Sequence, residues 1–124
     1  MFVGSGATLP VSDIDRAKSF YRDVLGLEPY EEQPNGSARY RVGDTMFMLY
    51  PSESAGTNRA TAMGLQVEDI DAAVAELRSR GVEFQDLDFG DIRTVDGIVS
   101  LPGGARGGWF TDTEGNVIGV FQDG

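Results

Sequence analysis

An α+β fold of two βαβββ units, forming a curved mixed sheet around a cleft, is predicted by three features of this 124-residue chain. First, Val11-Ser12-Asp13-Ile14-Asp15-Arg16-Ala17 is echoed by Val67-Glu68-Asp69-Ile70-Asp71-Ala72-Ala73, at an offset of 69 − 13 = 56 residues. Second, each copy runs into a helical pattern that ends in Gly-apolar-Glu: Gly26-Leu27-Glu28 and Gly81-Val82-Glu83. Third, each half then breaks into short apolar runs separated by glycine turns. A repeated supersecondary unit cannot bury its apolar face alone, so the two copies must pack together.

The elements follow in order. Val3 to Val11 reads as a strand that begins in the glycine-rich stretch Gly4-Ser5-Gly6. Asp13 is a helix N-cap, because its short carboxylate can accept an orphan backbone N–H. Ile14, Ala17, Tyr21, Val24 and Leu25 then form one helical stripe, with Arg16, Lys18, Arg22 and Asp23 largely off it. Gly26 supplies the left-handed residue that closes the helix. Leu27 to Glu31 reads as a short strand and Gln33-Pro34-Asn35-Gly36 as a turn. Ala38 to Val42 and Thr45 to Tyr50 make a hairpin closed by Gly43-Asp44. Residues 1–51 are thus the first unit, and the small polar residues 52–60 are a linker.

Residues 61–124 repeat the plan. Thr61 to Val67 is a strand, and Asp69 caps a helix with Ile70, Ala73, Val74 and Leu77 on one face. Asp112-Thr113-Glu114-Gly115-Asn116 is a hairpin turn with Gly115 at its left-handed position. Val117 to Gln122 is the last strand. The final strands match at 117 − 46 = 71 residues, so the second unit carries about 15 extra residues, at about 86–108. An insertion of this size in one copy is a lid, a binding loop, an oligomer contact or a plain surface excursion.

Composition excludes several classes of function. The chain has no cysteine, hence no disulfide and no thiolate chemistry, and a reducing cytoplasm is the expected setting. It has no apolar run near the roughly 20 residues that span a membrane and no signal-peptide pattern. Twenty acidic residues against ten basic ones give a formal charge of −10. That argues against nucleic acid or an anionic membrane as partner, and it suits either plain solubility or attraction of a cationic small molecule. No histidine is present. The commonest general base and metal ligand is therefore missing, and with it every Ser-His and Cys-His nucleophile.

The segments Val11–Ala17 and Phe20–Leu27, together with Trp109-Phe110-Thr111-Asp112-Thr113-Glu114-Gly115-Asn116-Val117-Ile118, resemble the vicinal oxygen chelate superfamily. That superfamily includes glyoxalase I, bleomycin- and fosfomycin-resistance proteins and extradiol dioxygenases. The resemblance covers essentially the whole chain. It implies two paired units around a cleft, frequent dimerisation and, in the enzymes, a divalent metal. The ligand positions it implies fall here on Gly6, Met48, Ala62 and Gly119. None offers imidazole or carboxylate, and Met48 alone offers a soft thioether. The expectation is therefore no metal at the family's site, no cofactor and no catalytic residue.

Taking those four positions as inward-facing fixes the parity of each strand. Thr8, Met46, Tyr50, Gly64, Gln66 and Phe121 then also face the cleft. Pairing across Gly43-Asp44 places Arg41 opposite Met46 and Arg39 opposite Met48, and pairing across the second turn places Trp109 opposite Gly119. The candidate ligand-binding residues are therefore Thr8, Arg39, Arg41, Met46, Met48, Tyr50, Gln66, Trp109 and Phe121. An apolar lining with a few polar groups is the usual make-up of a small-molecule pocket. Ordinary core packing explains the Met and aromatic residues equally well, and a solvated hairpin edge explains the arginines. The reading that follows is a homodimeric, metal-independent protein that sequesters a flat, partly apolar, antibiotic-like or aromatic ligand. The alternative is a metal-independent lyase or isomerase that uses a carboxylate of the insertion: Asp88, Asp91 or Asp96.

Overall fold

Two aspartates start the two helices in the same way. In the computed structural model, which describes all residues from Met1 to Gly124, Asp13 and Asp69 have extended backbones, and their carboxylates accept the N–H of Arg16 at 3.0 Å and of Ala72 at 3.1 Å. The helices α1 (Ile14–Asp23) and α2 (Ile70–Ser79) follow. Each buries the predicted stripe, with Ala17 and Tyr21 inside on α1 and Ile70 and Val74 inside on α2. Gly26 takes φ +71° while the Leu27 N–H reaches back to the Tyr21 carbonyl at 2.8 Å. The Gly26 N–H also reaches the Arg22 carbonyl at 3.2 Å, an αL closure that favours glycine at the left-handed residue.

The first unit contributes strands β1 (Ala7–Val11), β2 (Glu31–Glu32), β3 (Ala38–Val42) and β4 (Thr45–Pro51). The second contributes β5 (Thr61–Gln66), β6 (Val99–Ser100), β7 (Arg106–Thr111) and β8 (Val117–Gln122). Each unit is a mixed sheet with the same order, β1-β4-β3-β2 and β5-β8-β7-β6. The registers preserve the repeat. Thr8 pairs with Met48, and Gly64 pairs with Gly119, offsets of 64 − 8 = 56 and 119 − 48 = 71 residues.

The predicted two-unit α+β fold is present as two four-stranded mixed sheets, with no ladder joining β1 to β5. Pro10 has no N–H to give. Its carbonyl is taken instead by the side-chain amide of Asn116 at 3.0 Å, and β5 carries a register shift between Thr61 and Met63. The outer strands are also shorter than expected. Leu27 to Pro29 runs outside the sheet, Tyr30 gives its N–H to the Arg39 carbonyl at 2.8 Å, and Glu31–Glu32 forms the paired strand. Residues 1–6 precede β1 rather than forming its first half. The insertion folds into two tight reversals, bridged at Asp88–Arg93 and Val95–Ile98, and supplies the edge strand β6.

One apolar core joins the units. Leu9, Val11, Tyr21, Tyr40, Phe47 and Leu49 of the first pack in the same cluster as Met63, Val82, Phe110, Ile118 and Val120 of the second. Tyr40 and Phe47 stack face to face at 4.8 Å, and Phe20 of α1 lies 6.4 Å from Phe110 of β7. These residues alternate with Thr8, Met46, Met48, Tyr50, Gly64 and Phe121, which therefore face away from the core.

Candidate functional site

Where the start of β1 and the first turn of β4 come beside β5, they enclose a cleft of about 870 Å³. Its walls include Ser5, Gly6, Val42, Gly43, Thr45, Met46, Ala62, Met63, Gly64 and Gln66. No lining residue is ionisable. Of the nine sequence-predicted site residues, Met46 and Gln66 line this cleft. The other seven lie outside its walls. Thr8, Met48 and Tyr50 share the face of Met46 further along β1 and β4. Trp109 and Phe121 share the equivalent face of the second sheet.

Both arginines have the predicted register, Arg39 opposite Met48 and Arg41 opposite Met46. Their guanidinium groups turn to the outer edge. Arg39 Nη1 lies 3.6 Å from Glu31 on β2, and Arg41 sits over the ring of Tyr30 at 4.4 Å. The β2 edge is the side of the sheet opposite β1, so these partners draw the positive charge away from the cleft.

The aromatic residues of the second sheet occupy space left by glycines. Trp109 donates its indole N–H to Thr61 Oγ1 at 3.1 Å and meets Phe121 edge-on at 5.7 Å. A Cβ built on Gly107 would fall 2.6 Å from the Phe121 ring, and one on Gly119 would strike the same ring. The Phe121 ring thus lies flat along a glycine-paved strip that ends at Gly64 in the cleft wall.

This packing tests the metal site that the fold implies. A Cβ on Gly6 would lie 2.5 Å from Met46 Sδ, and one on Gly119 would meet Phe121 and, at 3.3 Å, Trp109 Nε1. The directions in which ligating side chains would project from these positions are filled by thioether and aromatic groups. No cluster of three His, Cys, Asp or Glu residues anywhere in the chain could hold a metal ion. The residues present do not fit a divalent cation.

Asp91 and Asp96 of the insertion line a separate hollow of about 430 Å³ with Asp71, Arg93 and Arg106. Asp88 receives the N–H of Gly90 at 2.9 Å within its own turn. None of the three borders the cleft.

Ser5, Thr45 and Met63 are cleft residues that the sequence reading passed over. Ser5 lies just before β1 and Thr45 opens β4, where alternation gives little guidance, and alternation assigns Met63 to the core, where it is also found.

Comparison with known proteins places this geometry. The sequence profile of the Glyoxalase/Bleomycin resistance protein/Dioxygenase superfamily matches residues 5–120. No curated protein matches the chain. Among solved structures, TnmS3, an antibiotic binding protein from Streptomyces sp. CB03234, is 28% identical over 100% of this chain and 99% of its own, with a TM-score of 0.75. A glyoxalase/bleomycin resistance protein from the same organism is 27% identical over 95% of this chain and 98% of its own, with a TM-score of 0.69. The fosfomycin resistance protein FosX of Listeria monocytogenes shares the fold at 15% identity, over 100% of this chain and 96% of its own, with a TM-score of 0.72.

Proposed function

This chain belongs to the Glyoxalase/Bleomycin resistance protein/Dioxygenase superfamily, and from that premise we propose that it binds a flat, partly apolar small molecule in its cleft and sequesters it without turnover. One observation carries the reading: a cleft of about 870 Å³, large enough for a drug-sized ligand, has a wall of Gly, Ala, Met and hydroxyl or amide groups with no ionisable side chain. Such a wall has no general acid, base or nucleophile of tuned pKa to do chemistry. Methionine adapts to planar surfaces of varied outline, and glycines let a ligand approach the backbone closely. The similarity to TnmS3, described as an antibiotic binding protein, supports the same reading.

The carboxylate-enzyme alternative needs an acid within hydrogen-bond reach of the ligand. Asp88, Asp91 and Asp96 border other surfaces, which leaves it without support. A homodimer belongs to the proposal, since the outward faces of both sheets carry half-buried Met48, Tyr50, Trp109 and Phe121 that a second copy can cover. Light scattering on the purified protein checks that state. The cysteine-free composition favours a cytoplasmic setting, and no helix is long and apolar enough to cross a membrane.

The deciding experiment is thermal denaturation against a panel of planar aromatic antibiotics and polycyclic probes. At least one should raise the melting temperature in a concentration-dependent way. A panel that produces no shift at millimolar concentration would overturn the proposal.

A further inference from the structure

The cleft wall is uncharged, yet its rim is not. Gln66, a wall residue at the end of β5, donates its amide N–H to Asp123 Oδ2 at 2.5 Å. With its N–H engaged there, the Gln66 carbonyl oxygen remains as an acceptor, because an amide carries both kinds of group. Asp44 lies between the wall residues Gly43 and Thr45 at the tip of the β3–β4 hairpin. Both aspartates are exposed, and neither forms an ion pair. Arg39 and Arg41 are held at the far edge of the sheet by Glu31 and Tyr30, and Arg59, exposed just before β5, is the basic side chain left without an acidic partner near the wall residue Ala62. The single lysine, Lys18, is paired to Glu32 at 3.1 Å. The chain as a whole carries −10. An apolar cleft with low-dielectric walls and acidic lips focuses negative potential at its mouth.

We propose that the cleft selects planar aromatic ligands bearing a protonated amine, the ring lying against Met46 and Gly64 and the ammonium held at the rim by the Gln66 carbonyl with Asp123 or Asp44. This deepens the binding function proposed above and rests on it. Gln66 and Asp123 act as a unit. The hydrogen bond between them fixes which end of the amide faces the ligand and places a full negative charge behind it.

The test is a matched series on one ring system: 9-(aminomethyl)anthracene, 9-(hydroxymethyl)anthracene and anthracene-9-carboxylate, titrated at pH 7 by fluorescence and calorimetry. The amine should bind roughly three- to tenfold more tightly than the alcohol, as expected for exposed charge pairs. The carboxylate should bind more weakly than the alcohol. The preference should shrink as salt is raised, because exposed charges are screened. In the Asp44→Asn/Asp123→Asn variant the amine and the alcohol should bind within about twofold of each other. Equal binding of all three probes to the unmodified protein, or a preference for the carboxylate, overturns the selectivity and leaves the binding function standing. No binding by any of the three overturns the selectivity, and the wider aromatic panel then decides the binding function. The unmodified protein alone decides the selectivity, so the outcome does not depend on how well the variant folds.

Discussion

The buried carboxylate of Glu114 receives the Arg16 Nε–H at 2.8 Å, across 98 residues and across the junction of the two units. It also accepts the backbone N–H of Ser12 at 3.0 Å and of Asp13 at 2.9 Å, and the hydroxyls of Ser12 and Thr113. The hairpin turn of the second unit thereby caps the entry to α1 of the first. Burial pushes the Glu114 carboxyl up, but these donors, led by Arg16, outweigh it and hold the group at about 2.

A group with a depressed folded-state pKa stabilises the fold above its unfolded value and loses that contribution as the pH falls through the folded one. Stability should therefore be full near pH 5 and decline steadily toward pH 2. Glu114→Gln should flatten this acid limb. Glu114→Ala should cost about 1–3 kcal/mol at pH 7, since it removes the shared acceptor of several part-buried hydrogen bonds. Urea titrations at a series of pH values measure both. An unchanged acid limb in Glu114→Gln would show that other carboxylates govern it.

Two buried tyrosines should respond in opposite senses to loss of the hydroxyl. Tyr21 donates to Asp112 Oδ2 at 2.8 Å, inside a network in which Asp112 also accepts from Glu114 N, Asn116 N and Asn116 Nδ2. Tyr40 has a fully buried hydroxyl with no partner. Tyr21→Phe should destabilise by about 1–2 kcal/mol, and Tyr40→Phe should be neutral or stabilise by up to about 1 kcal/mol, because an unsatisfied buried hydroxyl carries its full desolvation cost. Melting temperatures of the two variants decide it. Equal losses in both would contradict the assignment.

The same pair predicts an alkaline limb. Burial, then the charge and hydrogen bond of Asp112, push Tyr21 far above the ordinary phenol value. Burial, reinforced by Glu32 and Glu28, pushes Tyr40 up to about 12. A raised folded-state pKa means stability is full below pH 10 and falls as the pH rises above it, because the unfolded chain releases protons that the fold retains. Tyr40→Phe should lessen that slope between pH 10 and 12. An identical slope in the variant would argue against it.

The repeat and its parity were legible because both are local. The doubled Val-x-Asp-Ile-Asp motif located both helices, and pairing across Gly43-Asp44 placed Arg39, Arg41, Met46 and Met48 in the register observed. Where a side chain goes after leaving its strand is not local. Glu31 and Tyr30 redirect the arginines, and neither residue declares that role in sequence. The turn Asp112–Asn116 was visible as a turn, but its grip on Ser12, Arg16 and Tyr21 spans 91 to 102 residues, beyond any pattern in a single chain. The hydrogen bond from Asn116 to the Pro10 carbonyl again joins distant segments. Gly6, Met48, Ala62 and Gly119 were visible as positions without metal donors. That Met46 fills the space at Gly6, and Phe121 the space at Gly119, emerges only in the folded chain.

Ligand entry should be visible through the chain's only tryptophan. Trp109 contacts the edge of Phe121, whose ring reaches within 3.3 Å of where a Cβ on Gly64 would stand in the cleft wall. A ligand seated on Gly64 should quench or shift Trp109 emission. Phe121→Ala, which removes the intervening ring, should reduce that response at saturating ligand. An equal response in the variant would mean that the ligand reaches Trp109 by another route, or lies elsewhere.

The fit of Phe121 to its glycines yields a prediction in the form of a thermodynamic cycle. Gly119 has an ordinary strand backbone with no positive φ, so alanine there carries no conformational penalty and any cost is steric. Its Cβ would strike Phe121 and approach Trp109 Nε1 at 3.3 Å. Gly119→Ala should therefore destabilise the protein by about 1–3 kcal/mol, as overpacking does. In a Phe121→Ala background the same substitution should cost almost nothing, leaving a coupling energy of at least about 1 kcal/mol. Additive effects would mean that the ring moves aside freely, and the strip would then be open to any side chain. Strong coupling would mean that a carboxylate introduced at Gly119, as in Gly119→Glu, cannot take the family's ligand position until Phe121 is also replaced. Denaturant midpoints for the four proteins of the cycle separate the two cases.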